Sequence, residues 1–451
     1  MRLVMNCVVF HRYITGCSLI FLLALLSPIA ADPADVKEYR LENGPRVVVV
    51  EDHKSPLATF QVWYSVGSRD EPSGKSGISH LLEHMMFKGT RKYGPSMLSR
   101  IVQRNGGMDN AHTTKDYTAY FEILPADRIG LAIELEADRM SDLTIDPKQV
   151  SSERNVVMEE RRLRYEDDPQ NSLFEEVVAA AFKVHPYHKP VIGWMPEIES
   201  IDRGDLLSYY KTHYSADRAT IVVVGDVKAD EIVEQIRIHF KAVPHENNNQ
   251  RPAAAEPEQK GERKVTLRRE AELPCIIIAY HTPTFPHEDS YALDVLSMVL
   301  SAGKSSRLYQ SLVYEKKIAL GAFADYSGFN KDPYLFTFFA TAAPGKEIGG
   351  VEDAVNSEIE KIKEAVPTER EIQKAKNQIE ASFIMGQDSI YAQAMKYGLF
   401  EMLGDWRLMD RYLEGIRKVR PEDVSSAAKK YLTEGNRTVG ILIPTKKKDS
   451  Q

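Results

Sequence analysis

Asp205-Leu206-Leu207-Ser208-Tyr209-Tyr210-Lys211-Thr212-His213-Tyr214 leads into Arg218-Ala219-Thr220-Ile221-Val222-Val223-Val224-Gly225. Near the C-terminus, Asp423-Val424-Ser425-Ser426-Ala427-Ala428-Lys429-Lys430-Tyr431 leads into Asn436-Arg437-Thr438-Val439-Gly440-Ile441-Leu442-Ile443. Both stretches read as an acid-capped helix, a short polar turn and an apolar strand. Such units are common, so the shape alone decides little. The shared Asp, Tyr, Arg and Thr positions point to one domain used twice. Between the copies, residues 245–262 are polar and rich in Pro and Ala, with no apolar periodicity, and read as a linker.

Each copy opens on strands. Lys37 to Glu51, with its run Val47-Val48-Val49-Val50, is expected to pair with Ala58 to Val66, and Arg263 to Leu267 with Cys275 to Tyr280. In the first copy, helical periodicity follows over 78–87, 96–104, 127–140 and 147–165. Strands followed by runs of helices predict an α+β protein. It comprises two homologous α/β sandwich domains, each an antiparallel-rich sheet with helices packed on one face. The expected boundaries are a first domain at 32–244, its homologue at 263–445 and a basic polar tail at 446–451.

Residues 1–31 contain no acid. Arg2, His11 and Arg12 precede the apolar run Leu19 to Leu26, small residues follow at Ala30 and Ala31, and Asp32 is the first acid. This is the pattern of a secretory signal peptide, with an uncleaved anchor as the alternative. It predicts export across an inner membrane into the periplasm. Losing Arg2 and Arg12 would take the formal charge from -7 to -9, which argues against nucleic acid as a partner. Cys7 and Cys17 would leave with the leader. Cys275 then stands alone, so no internal disulfide and no cysteine metal site are expected. Any metal must be held by His and carboxylates.

His80-Leu81-Leu82-Glu83-His84 offers such a site. If helical, it places two imidazoles one turn apart on one face with a carboxylate beside them, the H-x-x-E-H order. The chemistry it proposes is a metal-activated water deprotonated by Glu83. A catalytic zinc site needs a third protein ligand. Candidates lie in Ser151-Ser152-Glu153-Arg154-Asn155-Val156-Val157-Met158-Glu159-Glu160, on a helix that Asp146 caps and Pro147 opens. Glu153 and Glu160 share a face, and Glu159 points about 100° away from Glu160. A helix so rich in Glu and Arg is by default a solvated face.

These two segments taken together resemble the pitrilysin-type zinc metallopeptidases, the inverzincins. The resemblance extends over Glu83 to Thr90, Asn110-Ala111-His112-Thr113-Thr114, Tyr117-Thr118-Ala119-Tyr120, and His185-Pro186-Tyr187 with Ile192-Gly193. The length matches the half-sized, two-domain branch that includes mitochondrial processing peptidase. The resemblance implies one zinc per chain, held by His80, His84 and Glu160. It implies Glu83 as general base and Glu153 as a carboxylate that orients a histidine ligand. It also implies an edge strand around Asn110 and Ala111 that takes peptides or unfolded polypeptide segments as an added strand. His112, His185 and His188 are read as structural or surface residues.

The second copy departs from the family pattern. Active members carry an Arg and a Tyr there, seven apart, that grip the substrate carbonyl. In this sequence those positions fall on Val313 and Leu320, which donate no hydrogen bond, while Arg307 and Tyr314 are seven apart in the wrong register. That is the pattern of the zinc-bearing subunit of a heterodimer whose homologous partner supplies the pair. The alternatives are a self-sufficient homodimeric peptidase and a non-catalytic binding or assembly subunit.

Overall fold

The computed structural model describes residues 36–244, 255–386 and 388–445. The expected leader, residues 245–254 of the linker and the tail 446–451 lie outside them. In the first half the strands are β1 Val36–Arg40, β2 Arg46–Glu51, β3 Leu57–Tyr64, β4 Met108–Thr113, β5 Thr118–Pro125 and β6 Ala219–Gly225. Its helices are α1 Ile78–Met86, α2 Met97–Arg104, α3 Ile129–Asp142, α4 Pro147–Arg161, α5 Pro169–Ala181, α6 Met195–Ser200, α7 Arg203–His213 and α8 Ala229–Phe240. The second half has β7 Arg263–Glu270, β8 Cys275–Thr282, β9 Ala319–Tyr326, β10 Tyr334–Ala342 and β11 Arg437–Thr445. Its helices are α9 Ser290–Ser301, α10 Ile348–Glu364, α11 Glu369–Met385, α12 Ile390–Leu403, α13 Leu408–Lys418 and α14 Pro421–Tyr431.

The first sheet runs β1-β2-β6-β3-β5-β4 and the second β7-β11-β8-β10-β9. With β1 set aside, each strand of one order has its counterpart in the other. In the first sheet β2 and β6 are parallel neighbours, in the second β7 and β11 are, and the other pairs are antiparallel. The duplicated α+β architecture is therefore present strand for strand. Two expected pairings differ: β6 lies between β2 and β3, and β11 lies between β7 and β8. The all-valine run of β2 and the fully buried β6 explain the first, because adjacent parallel strands covered on both faces favour continuous apolar sequence.

The matched acids also act alike, though not as N-caps. Asp205 and Asp423 sit three residues inside their helices, and their carboxylates accept the backbone N–H of Asp202 (3.0 Å) and Arg420 (2.9 Å). Each thereby satisfies an amide that the helix start leaves without a partner.

Each sheet's own helices pack on one face. The first core joins Val47, Val49, Phe60, Val62, Tyr120, Ile221 and Val223 to helices that include α1, α3 and α8. The opposite faces are also apolar and are covered by an exchange. Leu173 and Val177 of α5 pack on Cys275, Ile277 and Leu442 of the second sheet. Ala394 and Met402 of α12 pack on Val48, Trp63, Val222 and Val224 of the first. The described end of the linker is pinned rather than loose. Glu256 accepts the backbone N–H groups of Lys183 (2.7 Å), Val184 (2.8 Å) and His185 (2.9 Å).

Gly398 lets α12 approach the first sheet. A Cβ there would lie 2.0 Å from the Trp63 ring, which is fully buried and held by its Nε1 bond to Gln61 (3.0 Å). Gly398→Ala gains about 1 kcal/mol of helix propensity. The overpacking penalty of about 1–3 kcal/mol is expected near its upper end here, since the indole cannot yield. A net loss of about 2 kcal/mol should appear as a lower urea midpoint with unchanged slope.

Candidate metal centre

Helix α1 is amphipathic by position. Ile78, Leu81, Leu82, Met85 and Met86 are buried, which turns His80, Glu83 and His84 to the other side. The helix start is fixed by Glu71, whose carboxylate accepts the backbone N–H groups of Gly77 and Ser79, both at 3.0 Å. Gly77 precedes the first turn at φ 88°, the left-handed region, and a Cβ there would meet the Ile192 carbonyl oxygen at 2.4 Å. Helix α4 starts as expected from sequence, with the Asp146 side chain accepting from Lys148 and Gln149.

These helices bring His80, His84 and Glu160 together. Glu160 Oε2 lies 3.8 Å from His80 Nε2 and 3.5 Å from His84 Nε2, and one ligand atom from each of the three falls within 4.8 Å of the others. Bonds of 2.0–2.1 Å in a tetrahedral site put ligand atoms roughly 3.3 Å apart, so the donor set fits one zinc once atoms now within 4.8 Å of one another draw in to that spacing, by up to about 1.5 Å. Among the described residues this is the one such cluster. Glu159 is elsewhere, exposed and paired with Arg162.

Glu153 stands behind the site. Its Oε2 lies 3.3 Å from His84 Nδ1, and its Oε1 takes the Lys88 ammonium at 2.7 Å. A carboxylate on the far nitrogen fixes the ring with Nε2 forward. His80 Nδ1, by contrast, is buried with no hydrogen-bond partner among the described residues, so that ring is oriented by packing. Thr113, at the end of β4, donates to Glu83 Oε2, and Arg164 pairs with the outer oxygen of Glu160 at 2.7 Å. Sequence reading did not single out Lys88, Thr113 or Arg164. The first two lie inside quoted motifs, but nothing local marks their partners.

Electrostatics divides the two histidines. Burial, helped by the charge on His84, pushes His80 down to about 4. Burial also opposes charge on His84, but its bonds to Glu153 and Glu160 outweigh that and lift it to about 9. Burial raises Glu83 against the Thr113 bond. The hydrogen bond from His84 holds Glu160 low. His80 is therefore neutral and ready to ligate at neutral pH, while His84 must give up a proton first. Apparent zinc affinity should rise about tenfold per pH unit from pH 7 to 8 and level off above about 9, read by chelator competition.

Strand β4, with Asn110 and Ala111, is an edge of the first sheet, as the resemblance implied. Asn110 is exposed, and its side-chain oxygen caps the Ala111 N–H at 2.9 Å, a bond that an incoming strand would replace. His112 packs edge-on to Trp63 and Tyr117, His185 pairs with Asp332, and His188 bonds the His185 carbonyl. In the second half, α9 follows its two opening strands as α1 does and carries no histidine. Arg307 is engaged by Glu371 at 2.7 and 3.0 Å. Val313 is half-buried, and Tyr314 and Leu320 are exposed.

Two family models match the chain. One, described as "Insulinase (Peptidase family M16)", covers residues 46–194, and the other, "Peptidase M16 inactive domain", covers 200–379. Zinc protease PqqE of Helicobacter pylori is 32% identical over 408 residues, 90% of this chain and 92% of that protein. The uncharacterized zinc protease YmxG of Bacillus subtilis is 27% identical, over 88% of this chain and 96% of that protein. A crystal structure of a protease from Helicobacter pylori superposes with a TM-score of 0.88 at 31% identity, over 91% of this chain and all of that one. The periplasmic protease PqqL of Escherichia coli shares the fold, with a TM-score of 0.76 at 16% identity, and this chain spans 48% of its length.

Proposed function

The chain belongs to the M16 family of peptidases, the pitrilysin type, and on that premise we propose that it is a zinc-dependent endopeptidase cutting peptides or unfolded polypeptide segments. The observation that carries the reading is the meeting of His80, His84 and Glu160 within ligand distance beside Glu83. The names of its zinc-protease relatives support it.

His80, His84 and Glu160 would hold one zinc, which when bound supplies a Lewis acid for the scissile carbonyl and lowers the pKa of a water. Glu83 takes the proton of the attacking water and returns it to the leaving amine. Glu153, backed by Lys88, keeps His84 in register. The free edge of β4 around Asn110 and Ala111 receives the substrate as a strand, which holds the main chain regardless of side chains.

The same reading assigns a partner. Val313 and Leu320 donate nothing to a developing oxyanion, and Arg307 is committed to Glu371. A homologous second chain carrying an Arg and a Tyr would complete the site, with this chain as the catalytic subunit. The division at 32–244 and 263–445 and a periplasmic location are part of the proposal. The leader pattern supports that location, and among the described residues no helix is long and apolar enough to cross a membrane. Zinc-loaded chain alone is expected to cleave an unstructured fluorogenic peptide slowly. Adding such a homologue should raise the rate about 10²–10³-fold, the usual weight of one oxyanion donor. Full-rate cleavage by the lone monomer would contradict the two-chain assignment. No cleavage in either form would contradict the peptidase.

A further inference from the structure

We propose that Thr113 is a positioning residue, holding one oxygen of Glu83 so that the other faces the reaction, and that the turn carrying it is clamped by both halves of the chain. The proposal rests on the reading of Glu83 as base. Thr113 Oγ1 donates to Glu83 Oε2 at 2.5 Å, and Oε1 has no hydrogen-bond partner among the described residues. A glutamate on an open helix face has several rotamers, and a single donor from a neighbouring strand selects one of them. Orientation settled before the substrate arrives need not be settled in the transition state.

The hydroxyl can do this only if its strand end stays in place. Residues 114–117 turn back into β5 with Thr114 as the hinge. Its N–H donates to the Tyr117 carbonyl at 2.8 Å, and its hydroxyl accepts the N–H groups of Asp116 (3.2 Å) and Tyr117 (3.0 Å). From one side, the Ser68 and Arg69 amides donate to the Thr114 and Lys115 carbonyls, both at 3.0 Å. That approach needs a residue without Cβ at Gly67, where one would lie 2.5 Å from the Thr114 oxygen.

From the other side comes the second half. The Lys331 amide donates to Asp116 at 3.0 Å, and Tyr187 of the first half donates its hydroxyl to the same carboxylate at 2.6 Å. Arg69 bridges Asp116 and Asp332, and His185 lies 2.9 Å from Asp332. Asp116 is buried, so these partners leave its turn little freedom. The second half thus acts on the first through the β9–β10 connection, independently of any donor it lacks near Val313 and Leu320.

Thr113→Val keeps the shape and removes the donor. It should lower kcat about tenfold, the usual weight of a hydrogen bond to a charged group. KM should stay within about twofold and one zinc per chain should remain. Thr113→Ser should recover most of kcat, and Thr113→Ala, which adds no bulk, should match the valine variant. Unchanged kcat in the valine or alanine variant, a loss carried by KM, or a serine variant as slow as valine would overturn the proposal. Glu83→Gln run in parallel separates the two claims. If Glu83→Gln is inactive while Thr113→Val is normal, only the positioning role falls. If Glu83→Gln is active, the base assignment falls.

Discussion

Glu83→Gln is expected to lower peptide cleavage by on the order of 10²–10⁴-fold while leaving zinc content and fold intact. The amide has nearly the shape of the carboxylate and still offers an oxygen to Thr113, so the helix face keeps its packing. It cannot accept a proton from water. Burial raises the Glu83 pKa from the ordinary carboxylate range, which brings the group closer to a neutral working pH, where proton acceptance is most efficient. Loss in kcat with KM unchanged would mark an interaction made in the transition state. Activity close to that of the unsubstituted chain would remove Glu83 from the chemistry.

Glu160→Gln is expected to weaken zinc binding by on the order of 10²–10³-fold, because one of three ligands loses its charge. The two histidines already meet at its Oε2, so no other described carboxylate takes that place. Arg164 would lose its partner too, but it is exposed and that pair adds little. Glu153→Gln should be milder, about 10–100-fold, since it acts through the orientation of His84. Equal effects of the two substitutions would mean that their assigned roles are wrong. Chelator competition on the purified variants distinguishes these outcomes.

What was legible in the sequence was local. The buried positions of α1 recur at three and four residues, so the helix and its polar face could be read directly. Asp146 and Pro147 announced the start of α4, and the seven-residue spacing of Glu153 and Glu160 put both on one face, which the structure turns towards His84 of α1. The repeat of helix, turn and strand at 205–225 and 423–443 foretold two sheets of one topology. What was not legible depends on distant parts of the chain. Nothing near β2 shows that β6, about 170 residues later, separates it from β3. An apolar helix does not say which sheet it covers, so the exchange of α5 and α12 could not be read. Thr113 meets Glu83 thirty residues away in sequence, where periodicity carries no information.

The most direct test of the account is anomalous diffraction at the zinc edge from crystals of the purified chain. The expected result is a single anomalous peak per chain, about 2.0–2.1 Å from His80 Nε2, His84 Nε2 and a Glu160 oxygen. A zinc-replete preparation with no peak there, or with its peak on other residues, would contradict the central claim.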